Sequence, residues 1–340
     1  MKSIIDLRSD TITMPTPAMR EAIYMAEVGD DVYHEDSSAN KLERMGAEIC
    51  GKEAALFVPT GSMGNLISLY INCGRANEVL CAKNAHIIHH EIGAVSAIAG
   101  VLPIGLDTPD GILSADDFAP HIKAKGVYDM AATTLLEVEN TIGGAIYPIE
   151  NLKEIKHLAE QRDIKVHMDG ARIFNASVAS GISVAEYAKY ADTITFCLSK
   201  GLGSPMGSLL CGDKQFINQA RTLRKMLGSG TRQIGFMAAA GIYALEHNVD
   251  RLKEDHSRAK KIVSTLKETS YATIHGKTET NIVFFTVDNI PSDTIVSMLK
   301  EDGILANTEG DYVRLATNLN LSDNDIDELC TRLKNFSPIK

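Results

Sequence analysis

Three side chains able to do chemistry stand where apolar runs give way to glycine. They are Ser62 in Pro59-Thr60-Gly61-Ser62, Asp169 before Gly170-Ala171-Arg172, and Lys200 before Gly201-Leu202-Gly203. An amine held in an apolar site can lose its proton and attack a carbonyl carbon. A carboxylate can keep a heterocyclic nitrogen protonated. A serine at a strand, glycine turn and helix start sits where free backbone N–H groups meet an anion. Each residue also has an ordinary reading: Ser62 as a plain helix cap, Lys200 as a solvated surface lysine, Asp169 with Arg172 as a structural ion pair.

The elements that must position these groups follow from the hydrophobic pattern. A short apolar strand, Ala54–Val58, runs through the glycine turn into a helix over 63–71. Further strands are predicted at 78–82, 100–106, 135–139, 165–168 and 193–198, with a returning strand at 208–211. Helices are predicted at 19–28, 40–50, 114–125, 149–162, 171–179 and 184–189. The alternation implies an α/β fold with a mainly parallel sheet covered on both faces, whose ligands gather at the carboxyl ends of the strands. Lys200 follows Asp169 by 31 positions, a spacing that fits a single crossover within that sheet. From Phe216 onward helices dominate, at 233–247 and 249–268. A strand (281–287), helix (292–301), strand (312–316) and helix (323–336) then make a compact α+β unit. The expected division is an N-terminal segment, 1–16, lying across the main domain or a partner subunit, a large domain, 17–249, and a small domain, 250–340.

Bulk properties narrow the function classes. With 340 residues, 44% hydrophobic and 23% charged, the chain has the composition of a globular protein. A net charge of −10 without a Lys/Arg run argues against nucleic-acid or membrane-surface binding, so an anionic ligand needs a local cluster of cations. The start MKSIIDLRSD is too short and too charged for a signal peptide, and no apolar run reaches membrane-spanning length. The six cysteines form no C-x-x-C pair and read as reduced thiols of a cytoplasmic protein. No metal ligand set is read.

Together, in this order and on these elements, the three groups suit pyridoxal 5'-phosphate (PLP). Lys200 condenses with its aldehyde, Asp169 holds the pyridine nitrogen and the Gly61-Ser62 turn takes the phosphate. The chain resembles the L-threonine aldolases, relatives of the β-eliminating lyases among the fold-type-I PLP enzymes. The resemblance lies in DLRSDTIT (6–13), GDDVYHED (29–36), GKEAALFVPTGSMGN (51–65), ENT (139–141), HMDGARIFNA (167–176), CLSKGLGSPMGS (197–208), RKMLGSGTRQ (224–233) and VRLAT (313–317). It implies an aspartate-aminotransferase-like large domain and retro-aldol cleavage of threonine, allo-threonine and related β-hydroxy-α-amino acids to glycine and an aldehyde. It further implies that His86 stacks on the ring and that Lys225 and Arg232 reach the phosphate from a neighbouring subunit. Ser9, Arg172 and Arg314 are implied to hold the substrate carboxylate, in a homodimer usually paired into a tetramer. A β-eliminating lyase, an aminotransferase or a silent ligand-binding protein are the other readings.

The resemblance breaks at the base that takes the β-hydroxyl proton. Two histidines common in the family, ten residues before the ENT glutamate and just after ENT, are here Asp129 and Ile142. His86, His90 and His89 are the remaining candidates. Threo or allo preference and a cation near 11–13 stay open.

Overall fold

The computed structural model describes residues 3–338; Met1, Lys2, Ile339 and Lys340, at the outer ends of the expected first and last segments, lie outside them. Its centre is a seven-stranded sheet in the order Ala54–Val58, Ser208–Gly212, Thr193–Cys197, Lys165–Asp169, Thr133–Glu139, Glu78–Ala82 and Leu102–Leu106. Ser208–Gly212 is antiparallel to both its neighbours and the other pairs are parallel, as the pattern predicts. The middle strands are covered on both faces, and Thr193–Cys197 is buried at every position. The helices Gly61–Asn72 and Ile149–Gln161 pack their apolar residues against the sheet, while Gly235–His247 packs on the helices Pro17–Tyr24 and Ser37–Cys50.

A second, antiparallel sheet runs in the order Asn307–Glu309, Tyr312–Ala316, Ile282–Val287, Ala272–His275. Val313, Leu315, Val283 and Phe285 face a core shared with the helices Leu252–Lys267, Ser292–Glu301 and Asp323–Asn335. The period of two then puts Arg314 and Phe284, directly opposed on neighbouring strands, on the other face. The N-terminal segment is stitched to this unit: Ile5–Asp6 pairs in parallel with Ile304–Leu305, and Ile5 and Leu7 are buried in the same core.

Several boundaries differ from the pattern reading. The predicted 19–28 helix is Pro17–Tyr24, capped by Thr16 with proline at its first position. The predicted 114–125 helix shrinks to Ala115–Phe118 and a 3-10 turn, Ala119–His121, because Pro120 cannot donate to a continuing α-helix. The histidine-rich 85–95 stretch forms two single turns, His86–His89 and Ala94–Ala97.

Candidate active site

The carboxyl ends of three parallel strands set the floor of the site, where Glu139, Asp169 and Thr195 align in one row. The helix Gly61–Asn72 crosses this row so closely that only glycine fits at two points. A Cβ on Gly61 would lie 2.8 Å from Cys197 Sγ, and one on Gly64 2.6 Å from Thr195 Cγ2. The cap of this helix is Thr60, whose hydroxyl accepts from Met63 N at 3.2 Å. The capping role open to Ser62 is therefore filled one residue before Gly61, because the chain turns helical at Gly61 itself. That leaves Ser62 in the first turn, beside the outward-pointing N–H groups of the helix N-terminus.

Asp169, 5% exposed, accepts from Ala171 N at 2.9 Å and from Asn65 Nδ2 at 2.7 Å. Lys200 follows the neighbouring strand by three residues, in a turn closed by Gly203 N donating to its carbonyl at 2.9 Å. Asn248 Nδ2 ties the same loop through the carbonyl of Leu202 at 2.7 Å. The charges of Lys200 and Asp169 both bear on His86 and on Glu139, so the two side chains lie near the same pair of residues.

His86 Nδ1 lies 2.9 Å from Glu91 Oε1, and its backbone N–H donates to Glu139 Oε1. Burial alone would lower the imidazole pKa, but the bond to Glu91 and the charges of Asp169 and Glu91 outweigh it, and the net direction is up. Glu139 is pushed up to about 8, by burial first and by the Asp169 charge second. His90 has its ring 5.4 Å from that of His86, and burial with the His86 charge lowers its pKa. His89 instead spends Nε2 on the carbonyl of Lys83 at 2.9 Å and lines a separate surface depression with Asp107 and Pro109. Asp129 is exposed in a loop, and Ile142 is buried in the main core.

Arg172 makes a two-pronged pair with Asp10, Nη2 to Oδ1 at 2.6 Å and Nε to Oδ2 at 2.8 Å, which leaves Nη1 for another partner. The ion pair weighed for Arg172 thus exists, with Asp10 in place of Asp169. Asn281 Nδ2 adds a donor to Asp10 at 3.2 Å. Burial opposes ionisation of Asp10, yet Arg172, with help from Lys200 and Asn281, holds its carboxyl far below the usual range. Arg314 lies close enough for the Arg172 charge, after burial, to lower its pKa. Its Nε is 3.4 Å from Glu309 Oε2 without hydrogen-bond alignment and is buried with no hydrogen-bond partner. Ser9 accepts from Thr11 N at 3.2 Å and keeps its own hydroxyl proton for donation.

Lys225 ends the helix Lys214–Met226, and Arg232 pairs with Asp30 at 3.1 Å while half exposed. In GDDVYHED, Asp30 and Asp31 pair with Arg232, Arg221 and Arg224, Asp36 caps the helix Ser37–Cys50, and Tyr33 is exposed. Pattern reading missed Asn65, Glu91 and Asp10. Among the described residues, ligand atoms of His86, Glu91 and Asp169 also come within 4.8 Å of one another. The chemistry of these groups fits PLP: a lysine amine and a buried carboxylate near the same His86 and Glu139, a glycine-lined helix N-terminus and an under-satisfied arginine.

The model of the family described as beta-eliminating lyase matches residues 6–289. The chain belongs to that family. Its family relatives include the low specificity L-threonine aldolase of Escherichia coli K12, 42% identical over 98% of this chain and 99% of that protein. A probable low-specificity L-threonine aldolase 2 of Arabidopsis thaliana is 40% identical over 95% and 94%. In fold, the chain matches a solved Leishmania major threonine aldolase at a TM-score of 0.85, with 19% identity over 97% and 98%. It also matches a Sphingomonas wittichii serine palmitoyltransferase at 0.76, with 16% identity over 98% and 86%. The beta-eliminating lyase family and these neighbours give the fold as fold-type I, with its mainly parallel central sheet.

Proposed function

We propose that this chain is a PLP-dependent L-threonine aldolase, a carbon–carbon lyase that splits threonine, allo-threonine and related β-hydroxy-α-amino acids into glycine and an aldehyde. The observation that carries this reading is the pair of guanidiniums, Arg172 and Arg314, set beside the space shared by Lys200 and Asp169. Nη1 of Arg172 is left over from the pair with Asp10 and Nε of Arg314 has no hydrogen-bond partner, and an amino acid brings a carboxylate to take them. The names of the E. coli and Arabidopsis relatives support the same activity.

Bound PLP supplies the aldehyde for amine exchange and the electron sink for the bonding pair of the broken bond. Gly61 and Ser62 would hold its phosphate, Asp169 its ring nitrogen and Lys200 its aldehyde through the side-chain amine. Arg314, Nη1 of Arg172 and the Ser9 hydroxyl grip the substrate carboxylate. That grip turns the Cα–Cβ bond, rather than Cα–H, into line for cleavage. Glu91 accepts from His86 Nδ1, which frees Nε2 to take the β-hydroxyl proton directly or through one water. His90, beside it, is the second candidate for that proton. As the aldehyde departs, the proton held on His86 is steadied by Glu91, and a proton added at Cα completes glycine.

Lys225 and Arg232 are assigned to the phosphate of a partner subunit in a catalytic dimer that pairs into a tetramer. The segments 1–16, 17–249 and 250–340 are the working division of the chain. A cytoplasmic setting fits six free thiols, all buried, and no helix among the described residues is long and apolar enough to cross a membrane. The test is product analysis with the four threonine stereoisomers. Glycine and acetaldehyde are expected from the L-isomers, together with a visible cofactor band that Lys200→Ala abolishes. A keto acid as the main product would overturn the proposal.

A further inference from the structure

Beneath the ring space runs a polar chain that the mechanism leaves without a task. Glu137, His167 and Thr193 align in the row of the sheet below Glu139, Asp169 and Thr195. Asn65 lies over this face, 1% exposed, one helical turn beyond Ser62. Its Nδ2 donates to Asp169 Oδ2 at 2.7 Å and to Glu91 Oε1 at 3.0 Å. Its Oδ1 lies 3.1 Å from His167 Nε2, and His167 Nδ1 lies 3.0 Å from Thr193 Oγ1. The reverse amide orientation would aim a carbonyl at two carboxylates, so the charges fix this one. His167 Nε2 therefore carries the hydrogen. Burial depresses the His167 pKa to about 4, which keeps the ring neutral in that tautomer.

Both amide hydrogens of Asn65 are thus committed, one to each carboxylate. Asp169 is the group assigned to the ring nitrogen, and the same oxygen of Glu91 also faces His86 Nδ1 at 2.9 Å. A carboxylate oxygen of Asp169, one of Glu91 and a ring nitrogen of His86 lie within 4.8 Å of one another. Two buried carboxylates at such a distance do not both ionise unless donors compensate them. Glu137, in the lower row, shows the contrary case: both its oxygens are buried without a hydrogen-bond partner, and burial, then its acidic neighbours, push its carboxyl well up.

We infer that Asn65 is a positioning residue that bridges Asp169 and Glu91 through its amide, tying the ring-nitrogen anchor and the His86 base into one frame. The inference rests on the PLP reading of the site. No atom of Asn65 touches the reacting bonds; it acts through the carboxylates it donates to.

The measurement is the dissociation constant of PLP, followed by the visible band from acid to neutral pH, on the intact protein. In Asn65→Ala the two carboxylates lose their shared donor and are left facing each other, so PLP binding weakens and its acid limb moves to higher pH. Glu91→Gln, which keeps the shape and removes one charge, moves the limb to lower pH. In the double variant the two shifts offset, and the limb returns toward the parent. Should Asn65→Ala fail to fold, Glu91→Gln alone still decides, because a limb that stays or rises contradicts the inference. Shifts in the same direction, or an unmoved limb in Asn65→Ala, would overturn it as well. A parent protein that shows no Lys200-dependent band refutes the PLP reading instead, so the two failures are distinguishable.

Discussion

Glu139 shows how a single buried residue makes the stability of the fold depend on pH. Its carboxyl is pushed up to about 8 by burial and by Asp169, while the His86 N–H, the His86 charge and Lys200 pull the other way. In the unfolded chain a glutamate titrates near about 4.3. The folded protein therefore binds more protons than the unfolded one between these values. Stability from this group is complete below the unfolded pKa and is lost as pH rises through the folded one. Glu139→Gln keeps an acceptor for the His86 N–H and carries no charge at any pH. The cofactor-free variant is expected to melt at a higher temperature than the parent above pH 8, with the gap closing toward acid, as scanning calorimetry at a series of pH values would show. A gap of constant size would mean that Glu139 does not titrate as its surroundings demand. Glu139 itself stood in a recognisable motif, but its neighbours did not announce themselves. Asp10 reaches Arg172 across 162 positions, and Asn65 reaches Asp169 across 104. No local pattern encodes partners that only the fold brings together.

At the scale of elements, strand ends were legible because apolar runs stop at glycine in the same places where the chain leaves the sheet. Asp169 and Lys200 were found for that reason. A further signal was present and unused. Glu137 and Glu139, His167 and Asp169, Thr193 and Thr195 occupy alternate positions, with apolar Val138, Met168 and Ile194 between them. Period two sends each pair to one face. Polar pairs on three covered strands mark a floor that some ligand or helix must satisfy. The helix start was misplaced because Thr60, Gly61 and Ser62 offer two hydroxyls flanking one glycine, and composition does not say which side turns helical first. The correction is open to test by separating stability from binding. Thr60→Ala removes the cap and should cost roughly 1 kcal/mol in urea unfolding of the cofactor-free protein. Ser62→Ala should leave that unfolding curve nearly unchanged while weakening PLP binding. The opposite assignment of the two effects would restore Ser62 as the cap.

At the scale of the whole molecule, the two sheets divide the labour and leave it unfinished. The parallel sheet carries Asp169 and leads into Lys200, and the helix Gly61–Asn72 packed on it brings the glycine turn proposed for the phosphate. The antiparallel sheet supplies Arg314, and Asp10, in the segment stitched to that unit, pairs with Arg172. Within one chain the remaining proposed phosphate ligands are spent elsewhere or face outward: Arg232 rests half exposed on Asp30. A two-fold dimer that exchanges these basic groups would complete each site from both chains. Such sharing has a signature that no single-chain site can imitate. In a hybrid of Lys200→Ala with Arg232→Ala, the site built around the surviving Lys200 draws its arginine from the unaltered partner. That site is whole, and the other lacks both groups. Co-expressed variants, each impaired alone, should therefore recover roughly a quarter of parental turnover under random pairing. If Arg232 served its own chain, the Lys200 site would lack it and the other site would lack the lysine, so mixing would restore nothing. Turnover of purified, differently tagged hybrids distinguishes the two arrangements, because only an arginine given across the interface can rescue a lysine kept at home.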